Sequence, residues 1–131
     1  MGTQTTDSMT KGMQALVAME TNAAHLSEVA VRLLTEHAAT LPELLAVRAE
    51  ASQERPQLTL QALTVDDARL WADALGVAVS VTVEDANEGT GTLIERSAVE
   101  FPVDGVMVRL SSCQWHTAEQ WADRIAEAVA A

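Results

Sequence analysis

The stretch Val99-Glu100-Phe101-Pro102-Val103-Asp104-Gly105-Val106-Met107-Val108-Arg109-Leu110 decides the fold. Asp-Gly between alternating apolar residues signals a two-residue hairpin turn, because both central positions of that turn want positive φ. Closing the chain there sets Val103 opposite Val106, Phe101 opposite Val108 and Val99 opposite Leu110. All six are apolar and share one face, so turn chemistry and hydrophobic pattern specify the same register. The other face then carries Glu100 across from Arg109, a cross-strand pair worth roughly 0.2–1 kcal/mol.

Upstream, Val77, Val79, Val81 and Val83 alternate strictly and predict a strand, followed by a polar turn from Glu84 to Gly91. Gln57 to Leu63 alternates as well, with Leu58, Leu60 and Ala62 on one side. Between these two lies a helix. Thr64 can cap it, Asp66 and Asp67 suit its positive N-terminal end, it carries Leu70, Trp71, Ala74 and Leu75, and Gly76 stops it. Downstream, Thr117 and Gln120 form a capping box for a last helix with Trp121, Ile125, Ala128 and Val129 on one side. Trp-Ala-Asp occurs in both helices, at Trp71 and at Trp121, too short a match to make a repeat.

The N-terminal region reads differently. Residues 1–8 are a polar start, and a helical pattern runs from Met9 to Ala39. Leu16, Met19, Ala23, Leu26, Ala30, Leu33 and His37 recur at alternating steps of three and four, the spacing of a packed helical seam. Thr21-Asn22 is its weak point. Thr40-Leu41-Pro42-Glu43 reads as a second helix start, running to about Ala51. The expected architecture is a single α+β domain over residues 9–131, order α-α-β-α-β-β-β-α. It has a mainly antiparallel four-stranded sheet covered on one face by helices.

The segment from Asp66 to Gly76 followed by a valine-rich strand resembles small, largely uncharacterised α+β proteins of actinobacteria and their phages and plasmids. Those end a helix with W-A-x-A-L-G before a β-hairpin. The likeness covers residues 57–112. It implies the fold class, and no catalytic or binding residue comes with it.

The 131 residues include 8 Lys+Arg and 19 Asp+Glu, a net charge of −11, with 48% hydrophobic residues. That composition supports a packed core. Lys11 is the sole lysine and the arginines are scattered, which argues against nucleic-acid phosphates and anionic membranes as partners. No apolar run approaches the ~20 residues a bilayer span needs. Cys113 is the single cysteine, so no intrachain disulfide can form, and a reducing cytoplasmic setting is expected. Gly2 with Thr6 matches a myristoylation pattern, but the Ala- and Arg-rich composition suggests a bacterial source, where that modification is not expected.

Cys113 and His116 make a C-x-x-H half-site, short of the roughly four ligands zinc takes. They are also the one candidate nucleophile–base pair, without a visible group to orient the base or bind an oxyanion. Gly89-Thr90-Gly91 lacks the third glycine of a phosphate loop and opens a strand. The stretch starting at Asp85 has Thr90 and Arg96 where a calcium loop needs Gly and Glu. No metal, cofactor or catalytic residue is therefore expected. From Val77 to Gly105, Glu84, Asp85, Glu88, Glu95, Glu100 and Asp104 face Arg96 alone.

The expected role is a non-enzymatic protein-interaction module. It would be a homodimer through the N-terminal helix, using Leu16, Met19, Ala23, Leu26, Ala30 and Leu33. The alternative is an acidic inhibitor or immunity-type protein that mimics nucleic-acid charge toward a basic partner. Under either reading, the partner-binding surface would be Glu84, Asp85, Glu88, Glu95 and Asp104, with Trp115 as an aromatic anchor. A secretion-chaperone-like role and a small enzyme with a site shared across a dimer stand behind these.

Overall fold

The computed structural model describes residues 3–51, 55–86 and 91–130. Within them the chain forms α1 (Thr3–His37), β1 (Ala46–Glu50), β2 (Gln57–Ala62), α2 (Val65–Leu75), β3 (Ser80–Asp85), β4 (Leu93–Val103), β5 (Val106–His116) and α3 (Ala118–Ala130). The strands make one five-stranded sheet in the order β1-β2-β5-β4-β3. Neighbours are antiparallel except β2 and β5, which run parallel. The architecture is α+β, but the sheet has five strands rather than four and is mixed.

The β4–β5 hairpin keeps the register set by its turn. Val103 pairs with Val106, Phe101 with Val108 and Val99 with Leu110. Asp104 and Gly105 both have positive φ, 49° and 81°, as the mirror-image turn requires. Glu100 receives a 3.0 Å hydrogen bond from Arg109 on the opposite face. α2 also forms as the sequence dictates. Thr64 Oγ1 accepts from Asp67 N at 3.1 Å, and Gly76 closes the helix in the left-handed conformation, φ 75°.

The second expected helix does not form. After α1 the backbone turns through Ala38 to Leu41, with Leu41 N donating to His37 O at 2.9 Å. Residues 46–50 then become β1, paired with β2 from Ala46–Gln61 to Glu50–Gln57. Thr40 and Pro42 do interrupt the chain, but the conformation beyond them is governed by β2, whose outer edge presents unpaired backbone groups. An Ala-Val-Arg-Ala-Glu segment has only tenths of a kcal/mol of helix preference per residue, and a ladder satisfying that edge outweighs it. The valine strand is trimmed as well. Val77 and Val79 pack against the core before the ladder starts at Ser80.

Alternation assigns the sheet two faces. Leu58, Leu60, Val106, Val108, Leu110 and Phe101 form the covered one, packed against Leu26, Val29 and Leu33 of α1 and Trp71 and Ala72 of α2. Trp71 anchors this layer. Its indole donates to Pro42 O at 2.9 Å and meets His37 edge-on, ring centroids 5.9 Å apart. The opposite face, with Met107, Arg109, Ser111, Cys113 and Trp115 along β5, carries no helix among the described residues.

α1 is one continuous helix through Thr21-Asn22 and takes in positions 3–8 of the polar start. The tip of the hairpin holds it where it meets the sheet. His25 Nε2 donates to the Asp104 carbonyl, and Arg32 binds the Asp104 carboxylate. Before Leu26, no described side chain of α1 is buried.

Candidate functional site

Two places stand out chemically: a buried polar cluster under α3, and the leading half of α1.

The cluster forms where β4 and β5 run past the hydrophobic core. Carrying the hairpin register onward pairs Leu93 with His116 and Glu95 with Gln114, all on the helix-covered face. Glu95 and His116 are 4% and 5% exposed. Buried charges at such positions need partners. His116 Nε2 donates to Glu95 Oε1 at 3.0 Å. Arg124 of α3 reaches down to the same carboxylate, Nε to Oε1 at 2.9 Å and Nη2 to Oε2 at 3.1 Å. Its outer edge binds Asp66 at the start of α2, at 3.1 and 3.4 Å. Trp121 covers His116, ring centroids 5.3 Å apart.

Arg124 therefore fastens α3 to β4 and α2. The hydrogen bond from Arg124 holds the Asp66 carboxyl below its ordinary value, against an opposing effect of partial burial. The same bond raises the Arg124 guanidinium. α3 has few other attachments. The Thr117–Gln120 capping box closes at 2.9 and 3.1 Å, yet no residue of α3 is buried, and Ile125 and Val129 stand exposed.

A cleft of about 420 Å³ opens beside the cluster, lined by Asp66, Arg69, Glu95, Trp121, Arg124 and Ile125 among others. A carboxylate-oriented histidine can move protons. Here, though, three donors occupy Glu95, from His116 Nε2 and from Arg124 Nε and Nη2. Cys113 does not join it. Residues three apart on a strand point to opposite faces, so Cys113 is exposed on the open face while His116 is buried beneath α3. The C-x-x-H pairing thus dissolves. Among the described residues no group of three or more metal-ligating side chains converges. The cluster reads as a clasp.

The acidic residues proposed as a docking surface are dispersed. Glu95 is in the interior. Glu84 pairs with Arg96 at 3.3 Å, and Asp104 pairs with Arg32. Asp85 is exposed at the end of β3, and Glu88 lies outside the described residues. Trp115 is 59% exposed on the open face of the sheet, on β5 and opposite Ile94.

The dimer stripe divides in two. Leu26 and Leu33 are 3% and 5% exposed and belong to the chain's own core, with Ala30 packed beside them. Leu16 and Met19 are 61% and 42% exposed, and Ala23 is exposed with them. Met13 and Val17 widen this outer apolar surface. Leu26 and Leu33, with the half-buried Ala30 beside them, cannot serve a partner without opening the core.

Sequence reasoning missed His116, Arg124 and Asp66 as a unit. The signal was available in the hairpin register. Extended six pairs beyond Leu110, it places Glu95 and His116 on the covered face.

Fold and site together define an α+β domain with one helix-covered sheet face, a clasped C-terminal helix and an apolar leading helix half. No protein-family model, curated protein or solved structure matches the chain. No helix among the described residues is long and apolar enough to cross a membrane.

Proposed function

We propose that the protein is a non-enzymatic interaction module that self-associates through the leading half of α1. The observation carrying this reading is the solvent-exposed apolar row Met13, Leu16, Val17 and Met19 on a helix that elsewhere packs normally. Scattered exposed apolar residues need no explanation, whereas a contiguous row on one element does.

Helix energetics point the same way. Residues 3–24 include Thr10, Gly12, Thr21 and Asn22, all poor helix formers. From Thr10 to Ala24 no side chain is buried, so this stretch gains little from tertiary packing, the main source of helix stability in proteins. Burying its apolar row against a second helix supplies the missing stabilisation, roughly 1.5–3 kcal/mol per fully buried large side chain. The alternating three–four spacing is that of a helix packing on another helix. The acidic-inhibitor reading has less support, because Glu95 is buried and Glu84 and Asp104 already have arginine partners. No observation favours a secretion-chaperone role or a shared active site.

Sedimentation of the wild type and of Leu16→Glu tests the proposal. The wild type should be a dimer at micromolar concentration in both low and high salt. Leu16→Glu should be a monomer whose near-ultraviolet spectrum retains the buried Trp71 signature. A monomeric wild type would refute it.

A further inference from the structure

β1 is an edge of the sheet. It pairs with β2 on one side, and among the described residues no strand lies on the other. Alternate backbone N–H and C=O groups along Ala46–Glu50 therefore point outward, a template for a further strand. We infer that the strand it takes is β1 of a second copy, antiparallel, with the two-fold axis at Ala49. This contact is separate from the one at the leading half of α1 and does not rest on it.

Faces and charge together select the register. Arg48 pairs with Thr59 and Glu50 with Gln57, and Thr59 and Gln57 pair in turn with Arg109 and Met107, so Arg48 and Glu50 lie on the open face. Val47 and Ala49 pair with Leu60 and Leu58 and lie on the covered face. Residues opposite one another in a ladder share a side, so a second copy that continues both faces needs the axis to pass through a residue. Through Arg48 the axis sets two arginines together, and through Glu50 two glutamates, each destabilising. Through Ala46 or Val47 both charges lack a charged partner. Through Ala49, Arg48 of each copy lies opposite Glu50 of the other. The covered side of that register is apolar throughout, with Ala49 opposite itself and Val47 opposite Ala51. The same strand thus serves both copies, an isologous contact.

Both charges are available for it. Arg48 reaches Gln61 Oε1 at 3.5 Å, and among the described residues neither Arg48 nor Glu50 has an ion-pair partner. The other edge of the sheet offers no such match. β3 carries Glu84 and Asp85 and no cation, so two copies meeting there would gather four carboxylates. Screening over ~8 Å at physiological salt damps the more distant part of each chain's −11. Five residues a side bury far less than the ~1,200 Å² of a stable interface, so the edges meet at millimolar concentration, above the range in which α1 associates.

Disulfide trapping at millimolar concentration tests the pairing in a Leu16→Glu, Cys113→Ser background, which removes both the α1 contact and the exposed native thiol. Ala49→Cys should cross-link to itself, because directly opposed Cα atoms lie about 4.5–5.5 Å apart, within disulfide reach. Val47→Cys should not, since like positions are about 14 Å apart along the strand. Arg48→Glu or Glu50→Arg should lower the Ala49→Cys yield several-fold, and the double swap Arg48→Glu/Glu50→Arg should restore it. Failure of Ala49→Cys to cross-link would overturn the proposal, as would Val47→Cys cross-linking as well as Ala49→Cys. Single swaps that leave the yield unchanged would overturn the charge-selected register. A cross-link that forms only with Leu16 intact would place β1 inside the α1 contact and overturn it as a separate interface. Failure of the α1 reading shows independently, as a monomeric wild type at micromolar concentration.

Discussion

The two halves of α1 are one helix with one seam and two fates. From Leu26 to Leu33 the seam lies on Leu58, Leu60 and Val108 and is almost dry. From Met13 to Met19 the same kind of seam faces water. Side-chain chemistry barely separates them, since both carry Leu, Val and Ala, with Met13 and Met19 added in the leading half. The difference is whether a sheet lies beneath. His25 and Arg32 mark the boundary by gripping the hairpin tip at Asp104. A helical periodicity therefore tells how many faces are apolar, but not which surface takes them.

The largest expected contrast is between Leu33→Ala and Leu16→Ala. Leu33 leaves a cavity in a packed core, and its loss should cost about 2–5 kcal/mol in urea unfolding at any protein concentration. The Leu16→Ala effect should appear only as a weaker dimer, growing with concentration. Equal, concentration-independent losses would erase the distinction between the halves.

α3 sharpens the comparison, being a third helix held by polar contacts rather than by burial. Arg124→Ala leaves the buried Glu95 carboxylate with His116 as its remaining partner and should cost about 1–3 kcal/mol. Arg124 is itself partly exposed, so the cost falls short of that for a fully buried pair. Amide exchange should show α3 released while α2 stays protected. Thr117→Ala removes the cap and should cost about 1 kcal/mol, again confined to α3.

The smallest effect is a pH dependence. Asp66 is held below its ordinary value by Arg124. Its contribution is complete above the unfolded carboxylate value near 4 and is lost as pH falls through the lower folded value. Asp66→Asn should flatten that acid limb without changing stability at neutral pH by more than the lost ion pair, which is largely exposed. An unchanged acid limb would remove Asp66 from the clasp.

Much of the fold was legible where two local signals agreed. The hairpin had turn chemistry and face pattern, α2 had a cap and a glycine stop, and α3 had its capping box. β1 was not legible, because its strand character comes from the edge of β2 and not from Ala46–Glu50 itself. The clasp was half legible. Glu95 and His116 followed from a register already in hand, but Arg124 arrives from another element, and no local spacing announces it. Reading Cys113 and His116 as neighbours failed for a geometric reason, since a three-residue step that pairs side chains on a helix separates them on a strand.

The central claim is that a second copy orders the leading half of α1, and amide hydrogen exchange at several protein concentrations tests it most directly. The account predicts strong protection of residues 13–23 at high concentration that fades on dilution, while residues 26–37 hold theirs throughout. Protection of both halves that is equal and indifferent to concentration would contradict it.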